Sequence, residues 1–153
     1  MDVIGTKRDR SDLPGAVDEL LAAEAYHDLL ARADYVVVAC PLTEETEGMI
    51  GSDEFRLMDE DAVLINVARG EIVQHDALVS ALQYHRIRGA ALDVFAEEPL
   101  PQDSVLWDLS NVVITPHMAG STPHKPERWL DIITDNYEAL AAGDLDGLRN
   151  RVL

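Results

Sequence analysis

At 153 residues the chain is long enough to bury the core of one domain. Its 29 Asp and Glu against 12 Lys and Arg give a formal net charge of -17, which repels phosphate backbones and anionic bilayers and disfavours nucleic acid or membrane as the main partner. Hydrophobic content of 47% excludes an acidic disordered tail, the single cysteine, Cys40, excludes an internal disulfide framework and fits a reducing compartment, and no apolar run approaches the roughly 18 residues of a membrane span. An acidic surface with only Lys7 and Lys125 as lysines suits solubility in high salt, so the expectation is a cytoplasmic, halophilic protein.

The chain opens directly into a strand-like run, Val3 to Gly5, with no lead-in, and so reads as truncated. Thr6-Lys7-Arg8-Asp9-Arg10 follows, either a solvated turn or a clamp for a phosphate monoester. Ser11 to Gly15 is turn-rich, and Leu20-Leu21 reads as a brief strand. Ala23 to Ala33 carries Ala25, Leu29 and Leu30 at helical spacing. Asp34 to Cys40 is a β-branched run stopped by Pro41 and predicts a buried strand. After the loop from Pro41 to Gly51, Ser52 reads as the N-cap of a short helix to Met58, with Asp53 and Glu54 in its first turn.

Ala62 to Val67 is the next strand, and Asp76 begins an amphipathic helix with Ala77, Leu78, Ala81 and Leu82 on one face, closing near His85. Arg88 to Phe95 and Asn111 to Thr115 read as strands around an irregular stretch from Pro99 to Asp108. Thr122-Pro123 opens a long helix with Trp129, Ile132, Ile133, Tyr137 and Leu140 at helical spacing, ended by Gly143 and followed by a polar tail to Val152-Leu153. Strands alternating with helices predict an α/β class protein with a Rossmann-like, doubly wound parallel sheet. Such a domain begins with strand, glycine-rich turn and helix, yet no G-x-G-x-x-G occurs, so the sheet is predicted incomplete, lacking its first, central strand.

Three of these strands deliver an ionisable residue just past their carboxyl ends, where open parallel sheets bind ligands: Arg69-Gly70, Glu97-Glu98-Pro99 and Pro116-His117. A guanidinium can hold a carboxylate through two parallel hydrogen bonds, and Gly70 permits close backbone approach; a plain surface arginine is the alternative. Histidine can give or take a proton near neutrality, and a carboxylate partner would fix its tautomer. Glu98 is the candidate partner, with Glu97 as competitor and Asp93 nearby; the alternatives are a structural histidine and two ordinary surface acids. His75, His85, His117 and His124 show no H-E-x-x-H pattern, Cys40 precedes Pro41 with no evident activating base, and no G-x-S-x-G elbow occurs, so metal and nucleophilic chemistry are disfavoured.

In four ordered stretches the chain resembles the D-2-hydroxyacid dehydrogenases: DYVVVACPLT from Asp34, NVARG from Asn66, GAALDVFAEEPLP from Gly89 and LWDLSNVVITPHMAGST from Leu106. The resemblance implies hydride transfer between a nicotinamide cofactor and a small-molecule 2-hydroxy or 2-keto acid. It implies Arg69 as the substrate-carboxylate residue, His117 as the acid/base and Glu98, the acid directly before the proline, as its partner. Cofactor contacts are implied at the loop Cys40, Pro41 and Leu42, at Thr46, at the backbone of Val67 and Ala68, at Asp93 for the nicotinamide carboxamide, and at Gly120 near the nicotinamide. Basic residues Lys7 and Arg8 at the end of the second strand of such a fold favour NADP(H), while NAD(H) stays possible.

Family members are roughly twice as long, so the expected organisation is a partial dinucleotide-binding domain over 1–121, then a crossing helix and return segment over 122–153. The full-length form is expected to be a homodimer, with Pro99 to Leu109 in the interface and an exposed apolar patch at Trp107–Leu109. Trp107 and Met118 are candidates for lining the substrate pocket, with a place in the core as the alternative for either. Two readings stand: part of a dehydrogenase, inactive alone, or a non-catalytic nucleotide-sensing scaffold or remnant on the same fold. Retention of Arg69, Glu98 and His117 together favours the first.

Overall fold

Ile4–Lys7 (β1) and Glu19–Ala22 (β2) pair in parallel, with Ile4 opposite Glu19 and Lys7 opposite Ala22. The computed structural model describes residues 1–8 and 15–150; Asp9, Arg10, the turn-rich Ser11 to Pro14 and the terminal Val152-Leu153 lie outside the described residues. β1 runs two residues further than the apolar pattern suggests. Lys7 therefore sits within the strand, and Arg8 directly follows it.

A 3-10 turn at Ala23–Ala25 leads into helix α1, Tyr26–Leu30, which is shorter than the expected 23–33. Neither segment has a side-chain cap, and only Leu30 is buried, so packing supports no more than this one turn and a half. Tyr35–Val38 (β3), Val63–Asn66 (β4), Gly89–Leu92 (β5) and Val112–Ile114 (β6) then pair in that order as a four-stranded parallel sheet. The described strands thus form two separate parallel sheets rather than one continuous sheet.

β3 is not buried on both faces as its β-branched run suggests. Val36 and Val38 enter the core, whereas Tyr35 and Val37 are more than half exposed. Period-two alternation on an edge strand places one set of side chains against the helices and leaves the other uncovered.

Helix α2, Ser52–Leu57, begins at Ser52, so Ser52 is not its cap. The Glu54 carboxylate reaches back instead and accepts the Gly51 N–H at 2.9 Å, the half of a capping box that glycine at the cap position leaves available. Helix α3, His75–Gln83, buries Ala77, Leu78, Ala81 and Leu82, the face read from its spacing. Those residues close a core with Val36, Val38, Leu64 and Leu92 from the sheet, Phe55 from α2 and Met58 just after it.

These elements belong to one unit, Met1–Ala119; a second unit comprises Gly120–Leu153. In the second unit the helix α4, Lys125–Ala142, starts three residues later than Thr122, with Pro126 in its first turn, where a missing N–H costs nothing. Gly143 closes it in the left-handed conformation, φ 74°. The fold is α/β, a Rossmann-like parallel arrangement in which β4, β5 and β6 are neighbours and end at a common edge.

Candidate active site

At the end of β4 the chain turns on a buried amide. Asn66 is 1% exposed; its Oδ1 accepts the Ala68 N–H at 3.0 Å and its Nδ2 donates to the Arg69 carbonyl at 3.0 Å. The Val67 N–H donates to the Val38 carbonyl, which ties the same turn to β3. Arg69 Nη1 donates to the Ala68 carbonyl at 2.7 Å, leaving other guanidinium donors uncommitted. Gly70 is there because a Cβ would overlap the Phe95–Ala96 peptide. That close approach brings the Arg69 turn against the loop that carries Glu98.

After β5 the chain folds back on itself, and Glu98 Oε1 accepts the Phe95 N–H at 3.0 Å. The other oxygen, Oε2, lies 2.8 Å from His117 Nδ1. The pairing selects Glu98, not Glu97. The hydrogen bond from His117, then that from the Phe95 N–H, hold the Glu98 carboxyl below the usual carboxylate range; burial opposes them weakly, and the charges of His117 and Arg69 add to them. With Nδ1 donating to a carboxylate, Nε2 is the ring atom available for proton exchange.

His117 follows β6 in the left-handed conformation, φ 50°, which side chains with a Cβ seldom adopt. The residue that holds this turn is Asp93, 4% exposed, whose carboxylate accepts from Thr115 Oγ1 at 2.5 Å and from the Met118 and Ala119 N–H groups at 2.8 Å each. Burial pushes the Asp93 carboxyl up, but the Thr115 hydroxyl, the two amides and the nearby His117 outweigh it and keep it below its ordinary value. Asp93, Phe95, Glu98, Trp107, Thr115 and His117 line a cavity of about 690 Å³.

The other sequence-predicted positions are more dispersed. Cys40 is half-buried against the core, and the Pro41 carbonyl accepts from Thr46 Oγ1 at 2.7 Å. Thr46 Oγ1 also accepts the Thr43 N–H at 2.8 Å, so its hydroxyl already shapes the loop. Lys7 and Arg8 are exposed, and the Arg8 guanidinium pairs with Glu45. Gly120 belongs to the second unit. Trp107 lines the cavity and donates from Nε1 to the Pro101 carbonyl at 2.9 Å, whereas Met118 is not among the lining residues. The exposed apolar patch comprises Val105 and Trp107, because Leu109 packs against the core.

Sequence reasoning missed Asn66 and Thr115, the polar side chains that hold the site loops. A polar residue ending an apolar strand was the available signal. Among the described residues no group of three or more His, Cys, Asp or Glu side chains could hold a metal ion, and no helix is long and apolar enough to cross a membrane.

The pattern of the D-isomer specific 2-hydroxyacid dehydrogenase, NAD binding domain, matches residues 1–119. The chain is 40% identical over 137 residues to the glyoxylate reductase of Thermococcus gammatolerans, covering 89% of this chain and 41% of that protein. It is 43% identical over 117 residues to glyoxylate/hydroxypyruvate reductase B of Cronobacter sakazakii, covering 76% of this chain and 36% of that protein. The chain therefore spans about two fifths of the length of these curated relatives. A D-isomer specific 2-hydroxyacid dehydrogenase from Xanthobacter autotrophicus Py2, solved in complex with NADPH and MES, superposes with a TM-score of 0.84 at 38% identity, covering 94% of this chain and 58% of that one. A probable 2-hydroxyacid dehydrogenase from Rhizobium etli, solved with NADP, gives a TM-score of 0.81 at 35% identity, over 94% of this chain and 45% of that one. A parallel sheet ending in a histidine–glutamate pair, the match over 1–119 and these likenesses converge: the chain belongs to the D-isomer specific 2-hydroxyacid dehydrogenase family, of which it carries NAD-binding-domain sequence.

Proposed function

We propose that this chain supplies the nucleotide-binding and acid–base half of an oxidoreductase acting on 2-hydroxy and 2-keto acids. The observation that carries the reading is the 2.8 Å contact between His117 Nδ1 and Glu98 Oε2 beside the Arg69 turn. In the reductive direction His117 Nε2 gives a proton to the carbonyl oxygen, and Glu98 stabilises the imidazolium before transfer. Arg69 holds the substrate carboxylate with its uncommitted guanidinium donors and polarises the carbonyl.

A nicotinamide cofactor fits the residues present. The cavity beside His117 admits a planar ring next to a small acid, and one lone pair of the Asp93 carboxylate remains open for a carboxamide N–H. The backbone at Val67 and Ala68, the Cys40–Pro41 turn with Thr46, and Gly120 are its other proposed contacts. When bound, the reduced nicotinamide supplies the hydride. Lys7 and Arg8 favour a 2′-phosphate and hence NADP(H), with NAD(H) the weaker ligand; Arg8 must then exchange its Glu45 partner for phosphate.

The dinucleotide-binding part is assigned to residues 1–121, and 122–153 to a segment that crosses toward a substrate lobe. The exposed Val105 and Trp107 patch is the proposed homodimer contact, and a saline cytoplasm the proposed setting.

NADPH and NADH titrated into the chain, with the His117 ring and Arg69 guanidinium followed by NMR, test the reading. NADPH is expected to bind more tightly, and glyoxylate added to the complex to shift both side chains. His117→Gln should spare nucleotide binding and remove the histidine response, while Arg8→Gln should narrow the NADPH preference. Nucleotide binding that leaves both the His117 and the Arg69 signals unmoved would overturn the reading.

A further inference from the structure

Asp93 and His117 lie on adjacent strand ends, and three hydrogen bonds to the Asp93 carboxylate bracket His117 from both sides. Thr115 Oγ1 at 2.5 Å precedes the histidine, and the Met118 and Ala119 N–H groups at 2.8 Å follow it. These partners lie 22 to 26 residues away in the chain, so the contacts close a loop and do not merely decorate one. Asp93 is itself anchored, since its N–H donates to the Asn66 carbonyl at 3.0 Å. The bracketed residue is the one with φ 50°, a conformation that relaxes unless its surroundings over-determine it.

We propose that Asp93 is a positioning residue for His117: its carboxylate staples the Thr115–Ala119 turn in the left-handed form that aims the imidazole at Glu98. This assignment rests on His117 being the acid/base of the site. It also leaves room for the carboxamide contact implied by the resemblance. A carboxylate has four acceptor positions; Oδ1 is filled by Thr115 and Met118, Oδ2 is half-filled by Ala119, and one position remains for a ligand.

The acceptor count explains why a carboxylate, and not its isosteric amide, is needed. An asparagine here must point its NH₂ either at the Ala119 N–H or at the Thr115 and Met118 donors, so one side of the turn faces donor against donor. The net lowering of the Asp93 carboxyl pKa agrees with a group held ionised by its donors in spite of its burial.

The test compares Asp93→Asn, Thr115→Val and Thr115→Ser with the unmodified chain, without ligand. Two signals are read: the hydrogen-bonded imidazole Nδ1 proton of His117, and amide exchange at Met118 and Ala119, with the urea midpoint as a control on global folding. Asp93→Asn is expected to lose the imidazole proton signal and to speed exchange at both amides by about tenfold or more. Thr115→Val should weaken the same signals while leaving the urea midpoint nearly unchanged, and Thr115→Ser, which keeps the hydroxyl, should restore them. If Asp93→Asn does not fold, the Thr115 pair decides the matter. Retention of the imidazole signal and of amide protection in Asp93→Asn, or in Thr115→Val, would overturn the proposal. Because neither signal requires a ligand, a chain that keeps this pattern while NADPH leaves the His117 and Arg69 signals unmoved would refute the catalytic reading and leave the staple standing.

Discussion

Asn66 is buried and bonded at both ends of its amide: Oδ1 accepts the Ala68 N–H, and Nδ2 donates to the Arg69 carbonyl. Truncation to alanine leaves the buried Ala68 N–H unpaired and the Arg69 carbonyl with only the longer 3.4 Å bond from the Ile72 N–H, so Asn66→Ala should cost about 1–3 kcal/mol in urea unfolding. It should also free the Arg69 turn, visible as faster amide exchange at Ala68; no loss of stability would show that water replaces the amide. Glu98 gives a pH prediction of definite sign. Its folded carboxyl titrates below its ordinary value of 4.5, so its contribution to stability is present above that value and disappears as pH falls through the folded pKa. The difference in unfolding midpoint between the chain and Glu98→Gln should therefore shrink steadily below pH 4.5, and a constant difference would mean that the His117 pair contributes nothing.

At the scale of elements, the site is made by three consecutive strands of one parallel sheet ending side by side, with every loop beyond them held by a buried polar group or a close backbone contact. The Arg69–Gly70 turn and the Phe95–Glu98 loop touch backbone to backbone at Gly70. A methyl group there has no flexible neighbour to displace, so Gly70→Ala should destabilise by about 3 kcal/mol or more and separate the two loops. Thermal unfolding, together with the Glu98 and His117 signals, would register both effects. Much of this layout was legible beforehand: β4 and β6 are apolar runs with strong strand preference, and α3 shows its buried face in the spacing of Ala77, Leu78, Ala81 and Leu82. The open face of β3 was not, because Tyr35 and Val37 look as core-like as Val36 and Val38 until it is known which face of the sheet is covered. Nor was the part proposed for Asp93, since its three hydrogen bonds depend on a return of the chain that no local pattern records. The family resemblance preferred Glu98 over Glu97 through the proline that follows it, and the structural reason is the turn that commits one oxygen to Phe95 and frees the other for His117.

For the whole molecule the dominant physical fact is charge. A chain with a net charge of -17 carries many like charges on its surface, and at low ionic strength the repulsion among surface carboxylates opposes folding. The ion pairs present do little to relieve it: Arg32–Glu19, Arg56–Asp53 and Arg149–Asp135 are all well exposed, and pairs of that kind contribute about 0–1 kcal/mol each. Screening must come from the solvent instead. At about 1 M salt the Debye length contracts to roughly 3 Å, short enough to uncouple most neighbouring surface carboxylates while leaving the 2.8 Å His117–Glu98 contact intact. Salt should therefore raise the unfolding temperature monotonically into the molar range without disrupting the site. Calorimetry in KCl from about 0.1 M to about 3 M, with the His117 imidazole proton monitored in parallel, measures both. An unfolding temperature that is flat or falls with KCl would mean that the acidic surface is not the limiting term, and that burial in the core formed by Phe55, Leu64 and Leu82 already outweighs the repulsion.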